Sequence, residues 1–366
     1  MLFTTSKENL NNAISAVQKA INPKSIIPVY SCIKIEVSDN IAVFTGAGLD
    51  VSIECAIPVQ MEREGTALIP ARYFGDIVRR LPDIPITLEH SESMEMTIRY
   101  EKSIFTLRTM SVDDFPVMDS VHGDLSFSVS AETLKKLIRQ SSFAASADEL
   151  KGVFTGILWE VNDNELSLIG TDTHRLAWSK GLVAIEKAEA KGSFIIPARI
   201  TVEIARLIQN DECRIKADKN TVFFAFDNIR INCRMLEGSF PNYRQVIPVR
   251  FITTVKADSK VLKDATERIS LFAVANETSN TIHLEVAESV LSVHSRSDIG
   301  FGREEIQVEH EGDEIQIAFN SRYITDFFKV AEKDNVMILL SGQLSAGIMK
   351  DDDDDDFLYL VLPIKV

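Results

Sequence analysis

Cysteine is scarce in this chain: Cys32, Cys55, Cys213 and Cys233 are the only four in 366 residues, scattered and without a CxxC pair. That spacing excludes a disulfide framework and a zinc ribbon or finger. No apolar run approaches the roughly 20 residues of a membrane span. The opening "MLFTTSKENL" lacks the basic run and apolar stretch of a signal peptide, so a cytoplasmic location is expected. GxSxG, HExxH and GxxxxGKS/T are missing, and "GAGLD" (46–50) lacks the third glycine of a dinucleotide loop. Basic residues are outnumbered too, 39 Lys and Arg against 54 Asp and Glu, for a net charge of −15. If evenly spread, that charge argues against a generic nucleic-acid binder. What remains, 45% hydrophobic and 25% charged, is a globular composition, and at this length it points to two or three domains.

One unit occurs three times. "ALIPARYFGDIVRRL" (67–81) returns as "SFIIPARITVEIARLI" (193–208) and more faintly as "QIAFNSRYITDFFKV" (316–330). Pro70 and Pro197 stand 127 residues apart, and Asn320 takes the same slot 123 residues further on. A second element recurs as "FTTSKENLNNAI" (3–14), "FSVSAETLKKLI" (127–138) and "VKADSKVLKDAT" (255–266). A third recurs as "IKIEVSDNIAVFTG" (33–46), "ILWEVNDNELSLIG" (157–170) and "IHLEVAESVLSVHS" (282–295), and Phe115-Pro116 returns as Phe240-Pro241. Four features in one order at a nearly constant offset mark a repeat architecture. Domains are expected at 1–120, 121–248 and 249–366.

Each copy reads strand, helix, strand pair, helix, strands. Ser130 is placed as an N-cap, with Leu134, Leu137 and Ile138 on one helical face. Asn162-Asp163-Asn164 between two β-rich segments signals a hairpin. In the later helix Ile200, Ile204, Leu207 and Ile208 form a stripe opposite Arg199, Glu203 and Arg206. Two helices packed on β-sheet, three times over, make an α+β fold.

The negative charge is not evenly spread. Helices predicted over 7–20, 71–81, 131–141, 198–208, 258–272 and 321–333 hold 16 Lys and Arg against 9 Asp and Glu; the rest holds 23 against 45. Composition alone is equally compatible with ordinary solvated helix faces, since Lys and Arg are good helix formers. Repetition favours another reading, because equivalent helices in equivalent domains face the same way. Around a ring they would line one wall with positive charge and hold a phosphate backbone by non-directional, salt-sensitive attraction. No helix carries a helix-turn-helix or zinc-finger pattern that reads bases. Arg72, Arg79, Arg80, Lys136, Arg139, Arg199 and Arg206 are the candidate DNA contacts on these faces.

With this triplication, "TDTHRLA" (171–177), "FPNYRQVIP" (240–248) and the terminal "YLVLPIKV" (359–366), the chain resembles the bacterial sliding clamps, the β subunit of DNA polymerase III, over its whole length. The resemblance implies the DNA clamp fold and a ring-shaped head-to-tail homodimer around duplex DNA, placed there by an ATP-driven clamp loader. It implies no catalytic activity and no cofactor or metal. It also implies that the polymerase III catalytic subunit and repair polymerases are tethered through short clamp-binding peptides. A head-to-tail contact leaves open ends, which a rotation that closes after two copies removes. Phe105 and Leu107 match the domain 1 side of that contact, and Leu271, Phe272 and Val274 the domain 3 side. Lys24 matches a basic loop residue near the duplex.

"GTDTHRLA" (170–177) aligns with "GAGLDVSI" (46–53) and "SRSDIGFG" (295–302), so the His174-Arg175 pair occurs only in the middle copy. A residue needed by the fold of every repeat would recur, which assigns the pair to a local site. Catalysis needs a nucleophile, a base and an orienter together, and no such motif accompanies His174; a structural histidine is the plainer alternative. The resemblance instead implies a peptide-binding groove between domains 2 and 3. Its lining is Phe154, Thr171, Thr173, His174, Arg175 and Leu176, then Pro241, Tyr243 and Val246, then Asn320 and Tyr323, then Leu360, Val361, Leu362, Pro363 and Ile364. The apolar members would take a partner's Leu and Phe, each worth about 1.5–3 kcal/mol when buried. His174, Arg175 and Asn320 would hydrogen-bond the peptide. The competing function is a monomeric peptide-binding scaffold that does not encircle DNA.

One stretch fits none of this. "KDDDDDDFLYL" (350–360) sets six consecutive aspartates, Asp351 to Asp356, before the last strand. They lack the glycine and spaced ligands of a calcium loop. A solvated, mobile loop near the groove, unfavourable to acidic peptides, is the expectation.

Overall fold

Period-two burial marks the strands of the computed structural model: alternate residues are buried along Val51–Pro58, Glu212–Ala217 and Thr281–Ala287. The structure describes residues 1–23, 25–116, 123, 125–185, 191–209, 212–273 and 280–365. All six predicted helices form: α1 (Lys7–Val17), α2 (Ala71–Arg80), α3 (Ala131–Ser142), α4 (Ala198–Leu207), α5 (Ser259–Ala273) and α6 (Ser321–Phe327). Ser6 caps α1 by accepting the Asn9 N–H, and Asn320 caps α6 by accepting the Arg322 N–H. The last of these helices is shorter than its pattern. Beyond Phe327 the amides of Lys329 and Val330 bond three residues back, a tightened turn that ends the helix.

The chain divides into two compact units, one of Met1–Glu132, Val183–Ala190 and Glu203–Met235, the other of Thr133–Leu182, Lys191–Val202 and Leu236–Val366. The division follows the sheets. In the first unit Ile229–Arg234 pairs antiparallel with Val51–Pro58, joining strands of the first and middle repeats into one nine-stranded sheet. In the second, Arg175–Leu182 pairs antiparallel with Phe357–Val361, joining the middle and last repeats in another sheet of nine. A five-stranded sheet completes the first unit and a four-stranded sheet the second. Below the second unit's sheets α5 and α6 bury Leu262, Ile269, Ile324 and Phe327, with Phe327 stacked on Phe357 and Tyr359.

The repeat leaves the same packing solutions at equivalent positions. A Cβ on Gly46 would stand 2.2 Å from the carbonyl oxygen of Val17 at the end of α1, and one on Gly170 would stand 2.3 Å from that of Ser141 in α3. Only glycine admits a helix so close to a strand. The third copy has Ser295 there, buried, its Oγ donating to the Thr281 carbonyl. The predicted hairpin turn forms between Gly156–Asn162 and Glu165–Thr171, with Asp163 at φ 53°; Asp39 and Asn40 take φ 49° and 59° in the first copy. Ile200, Ile204 and Ile208 are buried, whereas Leu207 is only half-buried. The repeated Phe-Pro also has a packing role: Phe115 is buried beside Val29, Cys32, Ala47 and Leu68, and Phe240 packs on the cluster of Leu158, Ile169, Leu176 and Leu360.

The aspartate run departs from expectation. Asp351 ends the strand Gly347–Asp351 and is 1% exposed. The turn after it is tied down: Asp352 pairs with Lys256 at 2.7 Å, Asp354 with Lys136 at 3.7 Å, Asp355 with Lys350 at 2.6 Å and Asp356 with Lys180 at 3.5 Å. Lysines from four elements offset the repulsion that a bare run of aspartates would suffer. The turn also precedes Phe357, at the opposite end of the last strand from Leu360 and Leu362.

Candidate functional site

The middle-copy stretch Thr171–Leu176 is a hairpin turn built around one carboxylate. Thr171 and Leu176 are the last paired residues of the two strands. Between them Asp172 Oδ1 accepts the N–H groups of His174 and Arg175 at 2.9 and 3.1 Å, the local bonding that makes aspartate a turn residue. Thr173 takes φ 83°, uncommon for a β-branched residue. Its N–H donates to Thr171 Oγ1 at 3.2 Å, and Thr171 Oγ1 donates to the Arg175 carbonyl at 2.6 Å. Lys151 Nζ holds the Asp172 carbonyl at 3.0 Å. The ladder with the last strand continues past Val361, because the Leu362 N–H donates to the His174 carbonyl at 2.9 Å.

Arg175 is the pin of this turn. Its Nε donates to Asp172 Oδ2 at 3.0 Å and its Nη1 to Asp326 Oδ2 at 2.6 Å; all three side chains are about nine-tenths buried. The guanidinium lies 4.6 Å from the Tyr323 ring centroid and 5.8 Å from that of Phe143. Burial works against its charge, but Tyr359, Asp326 and Asp172 outweigh that and raise its pKa. Burial also opposes ionisation of Asp326, yet hydrogen bonds from Lys329 and Arg175 hold its carboxyl below the ordinary 3.8. A buried pair of this kind is costly to break, because the partner left behind is an uncompensated charge.

Beside the turn lies a cavity of 200 Å³ lined by Phe154, Thr171, Thr173, His174, Arg175, Leu176, Phe240, Pro241, Asn242, Tyr243, Val246, Leu360 and Leu362. Small-molecule sites typically measure about 300–1,000 Å³, so this one suits one or two side chains. Leu176 and Leu360 form a buried floor; Val246 and Leu362, 54% and 41% exposed, stand at the rim. Phe154 and Phe240 meet at 6.2 Å between centroids. Tyr243 is fixed by its hydroxyl, which donates to Glu160 Oε2 at 2.6 Å, and Arg244 lies over its ring and binds the same carboxylate. Burial, then Glu160, pushes the Tyr243 pKa up, so the phenol stays a donor.

Eleven of the predicted groove residues thus meet around one cavity. Phe240 and Asn242, not predicted, also line it, although Phe240 belongs to a motif that the repeat had already marked. Asn320, Tyr323, Val361, Pro363 and Ile364 fall outside the lining. Asn320 is occupied as the α6 cap, Tyr323 packs on Arg175, Val361 is buried in the ladder, and the Ile364 N–H is bonded to Ala318. Asp172 and Asp326 hold the site without having been read from the sequence. Aspartate is a turn-forming residue type, which is the one local signal for the first; the second has none.

Of the candidate DNA contacts on the helix faces, all are exposed except Lys136, which is half-buried. Arg79 and Arg80 lie 3.3 and 3.8 Å from Asp76, Arg206 lies 2.6 Å from Glu203, Lys136 pairs with Asp354 and Arg139 with Glu332. Arg72 and Arg199 are exposed, and among the described residues no acidic side chain pairs with either. Lys24 lies outside the described residues. Of the candidate dimer residues, Phe105 and Leu107 lie on Ser103–Arg108, the free edge of the five-stranded sheet, where Phe105 is 38% exposed and stacks on Tyr100. Leu271 is 71% exposed on α5, and Phe272 packs over Gly300 and Gly302 of the four-stranded sheet's free edge. Val274 lies outside the described residues. A larger depression of 720 Å³ in the first unit, lined by Glu54, Arg214, Phe226, Arg230 and neighbours, contains none of the predicted residues.

Three family models match the chain in order: the N-terminal domain of the DNA polymerase III beta subunit over residues 1–119, its central domain over 128–242 and its C-terminal domain over 244–365. A beta sliding clamp of Staphylococcus epidermidis is 31% identical over 377 residues, covering 100% of this chain and 99% of that protein. The DNA polymerase sliding clamp of Bacillus subtilis superimposes with a TM-score of 0.95 at 29% identity, covering 100% of this chain and 99% of the other. A Pseudomonas aeruginosa sliding clamp bound to griselimycin gives 0.95 at 28% identity, with both chains fully covered.

Proposed function

The chain belongs to the DNA polymerase III β-subunit family, the bacterial sliding clamps, and from that premise we propose how its surfaces divide the work. It is a non-catalytic processivity factor: a ring of two copies joined head to tail encircles duplex DNA and tethers the polymerase and other partners to it. Three clamp domains at 1–120, 121–248 and 249–366 repeat the unit, in keeping with the three family matches. Among the described residues no helix is long and apolar enough to cross a membrane, and we place the protein in the cytoplasm with the replication machinery.

The basic helix faces hold the duplex. Arg72, Arg79, Arg80, Lys136, Arg139, Arg199 and Arg206, with Lys24, attract phosphate without reading bases, which lets the ring slide. The observation that carries this reading is the segregation of charge, 16 basic to 9 acidic residues on the predicted helices of a chain that is otherwise strongly acidic. Phe105 and Leu107 on one sheet edge, and Leu271, Phe272 and Val274 beside another, form the two halves of the dimer contact.

The cavity at Thr171–Leu176 receives partner peptides. Its apolar floor takes one large aliphatic or aromatic side chain, and its rim at Val246 and Leu362 covers the next. His174 and Asn242 offer hydrogen bonds at the edge, while Arg175 acts by holding the turn. Encirclement is tested by loading the protein onto nicked circular DNA with its clamp loader and then linearising the DNA. The ring is expected to slide off free ends and stay where the ends are blocked; equal retention on both supports the monomeric scaffold instead.

A further inference from the structure

The hairpin that carries the aspartates also exists in the other two copies, and there its turn is short. Glu95–Tyr100 and Ser103–Arg108 are joined by two residues, as are Thr221–Phe226 and Ile229–Arg234, whereas Asp352–Asp356 separate Gly347–Asp351 from Phe357–Val361. The fold therefore does not require the longer acidic turn. In α2 and α4 the acid beside the candidate DNA cations is on the same helix, Asp76 or Glu203. α3 differs, because both of its candidate DNA contacts are met from outside: Arg139 by Glu332 and Lys136 by Asp354.

The Lys136–Asp354 pair is asymmetric in a way that matters. The carboxylate is fixed, 12% exposed, with its Oδ1 accepting the Asp356 N–H at 2.8 Å and its own N–H bonded to the Asp351 carbonyl. The lysine is 40% exposed on a flexible stem. Beneath the turn Asp351 is buried, one oxygen accepting the Glu332 N–H at 2.8 Å and the other without a hydrogen-bond partner. Burial raises its pKa, Asp354 adds to the rise, and Lys333 and Lys136 offset part of it. Lys136 is thus the shared countercharge of a preformed anionic surface.

We propose that the aspartate turn is an internal stand-in for DNA phosphate, which holds Lys136 of α3 in competition with the duplex and loosens the ring's hold on DNA at that helix. The proposal rests on the reading of the helix faces as DNA-facing. At 3.7 Å, with its lysine end open to solvent, the pair is weak and screened by salt, so a passing phosphate displaces the carboxylate and the lysine returns to it afterwards. A ring that must slide gains from a contact that releases readily.

The test compares two isosteric variants of the full-length dimer, Asp354→Asn and Asp352→Asn, in equilibrium binding to a short linear duplex across a salt series. Each removes one negative charge, but only the first frees Lys136, since Asp352 pairs with Lys256. Asp354→Asn is expected to tighten duplex binding about threefold to tenfold at low salt and to steepen the salt slope by about 0.9 for each lysine released. Asp352→Asn should leave both unchanged, and Lys136→Ala should abolish the gain from Asp354→Asn. Equal effects of the two variants, a gain that survives Lys136→Ala, or no gain while Arg199→Ala weakens binding would each overturn the proposal. If Arg199→Ala and Lys136→Ala both leave binding unaltered, the helix-face reading itself fails and takes the proposal with it.

Discussion

Arg175 and Arg206 each hold a carboxylate at 2.6 Å, yet they sit in different solvents. The side chain of Arg175 is 10% exposed between Asp172 and Asp326, and that of Arg206 is 63% exposed one helical turn from Glu203. At equal distance the interaction depends on what surrounds it. With its arginine end in solvent, the Arg206 pair is weakened by water and salt toward about 0–1 kcal/mol, while the buried one cannot lose a partner without stranding a charge. The first arrangement shapes a turn and a cavity; the second leaves a cation that water and salt can reach. In the function proposed above, recognition of a peptide calls for the first condition and sliding on DNA for the second.

Substitution breaks the comparison most directly. Arg175→Ala should destabilise the protein by about 3–5 kcal/mol, read as a lower denaturant midpoint, and should abolish peptide binding. Arg206→Ala should stay within about 0.5 kcal/mol. Equal losses would show that burial is not the deciding variable.

Acid titration sharpens the same contrast. The folded pKa of Asp326 is depressed, so its contribution is complete above the unfolded value of about 3.8 and fades as pH falls through the lower folded value. Unfolding free energy measured from pH 5 downward should therefore drop more steeply in the parent than in Asp326→Asn.

At the cavity rim, Leu362→Ala should weaken partner-peptide affinity about tenfold, or roughly 1.4 kcal/mol by calorimetry, with little change in stability because Leu362 is 41% exposed. Tyr243→Phe should cost about 1 kcal/mol of stability, since Glu160 keeps its bond to Arg244. The smallest effect on the fold belongs to Arg72→Ala combined with Arg199→Ala, which should shift unfolding by less than about 0.5 kcal/mol. In duplex binding the same pair should flatten the salt slope by about 0.9 per arginine.

Much of this is legible in the sequence. The triplication placed six helices, and Asn162-Asp163-Asn164 marked a hairpin; the close approach that requires glycine at 46 and 170 appeared only in the structure. The solitary His174-Arg175 pair is legible as a local feature, and both residues line the cavity of the candidate site. What was not legible is who meets whom. Asp326 lies 151 residues from Arg175 and reads as one more acid on a helix. Phe240 was visible only as a repeated Phe-Pro, and at the start of α6 Asn320 caps the helix while Tyr323 packs on Arg175. The aspartate run looked like unopposed charge because Lys136, Lys180 and Lys256 come to it from distant elements.

Periodicity and repetition, which are local and countable, were enough to determine the elements, their threefold recurrence and the concentration of basic residues on helices. Only the tertiary structure decided which of those charges are withdrawn from water and which remain in it. Desolvation depends on the neighbours that surround a side chain, and for Arg175 one of them, Asp326, lies 151 residues away, in a repeat joined to its own by the strand pairing with Phe357–Val361 that no local pattern encodes.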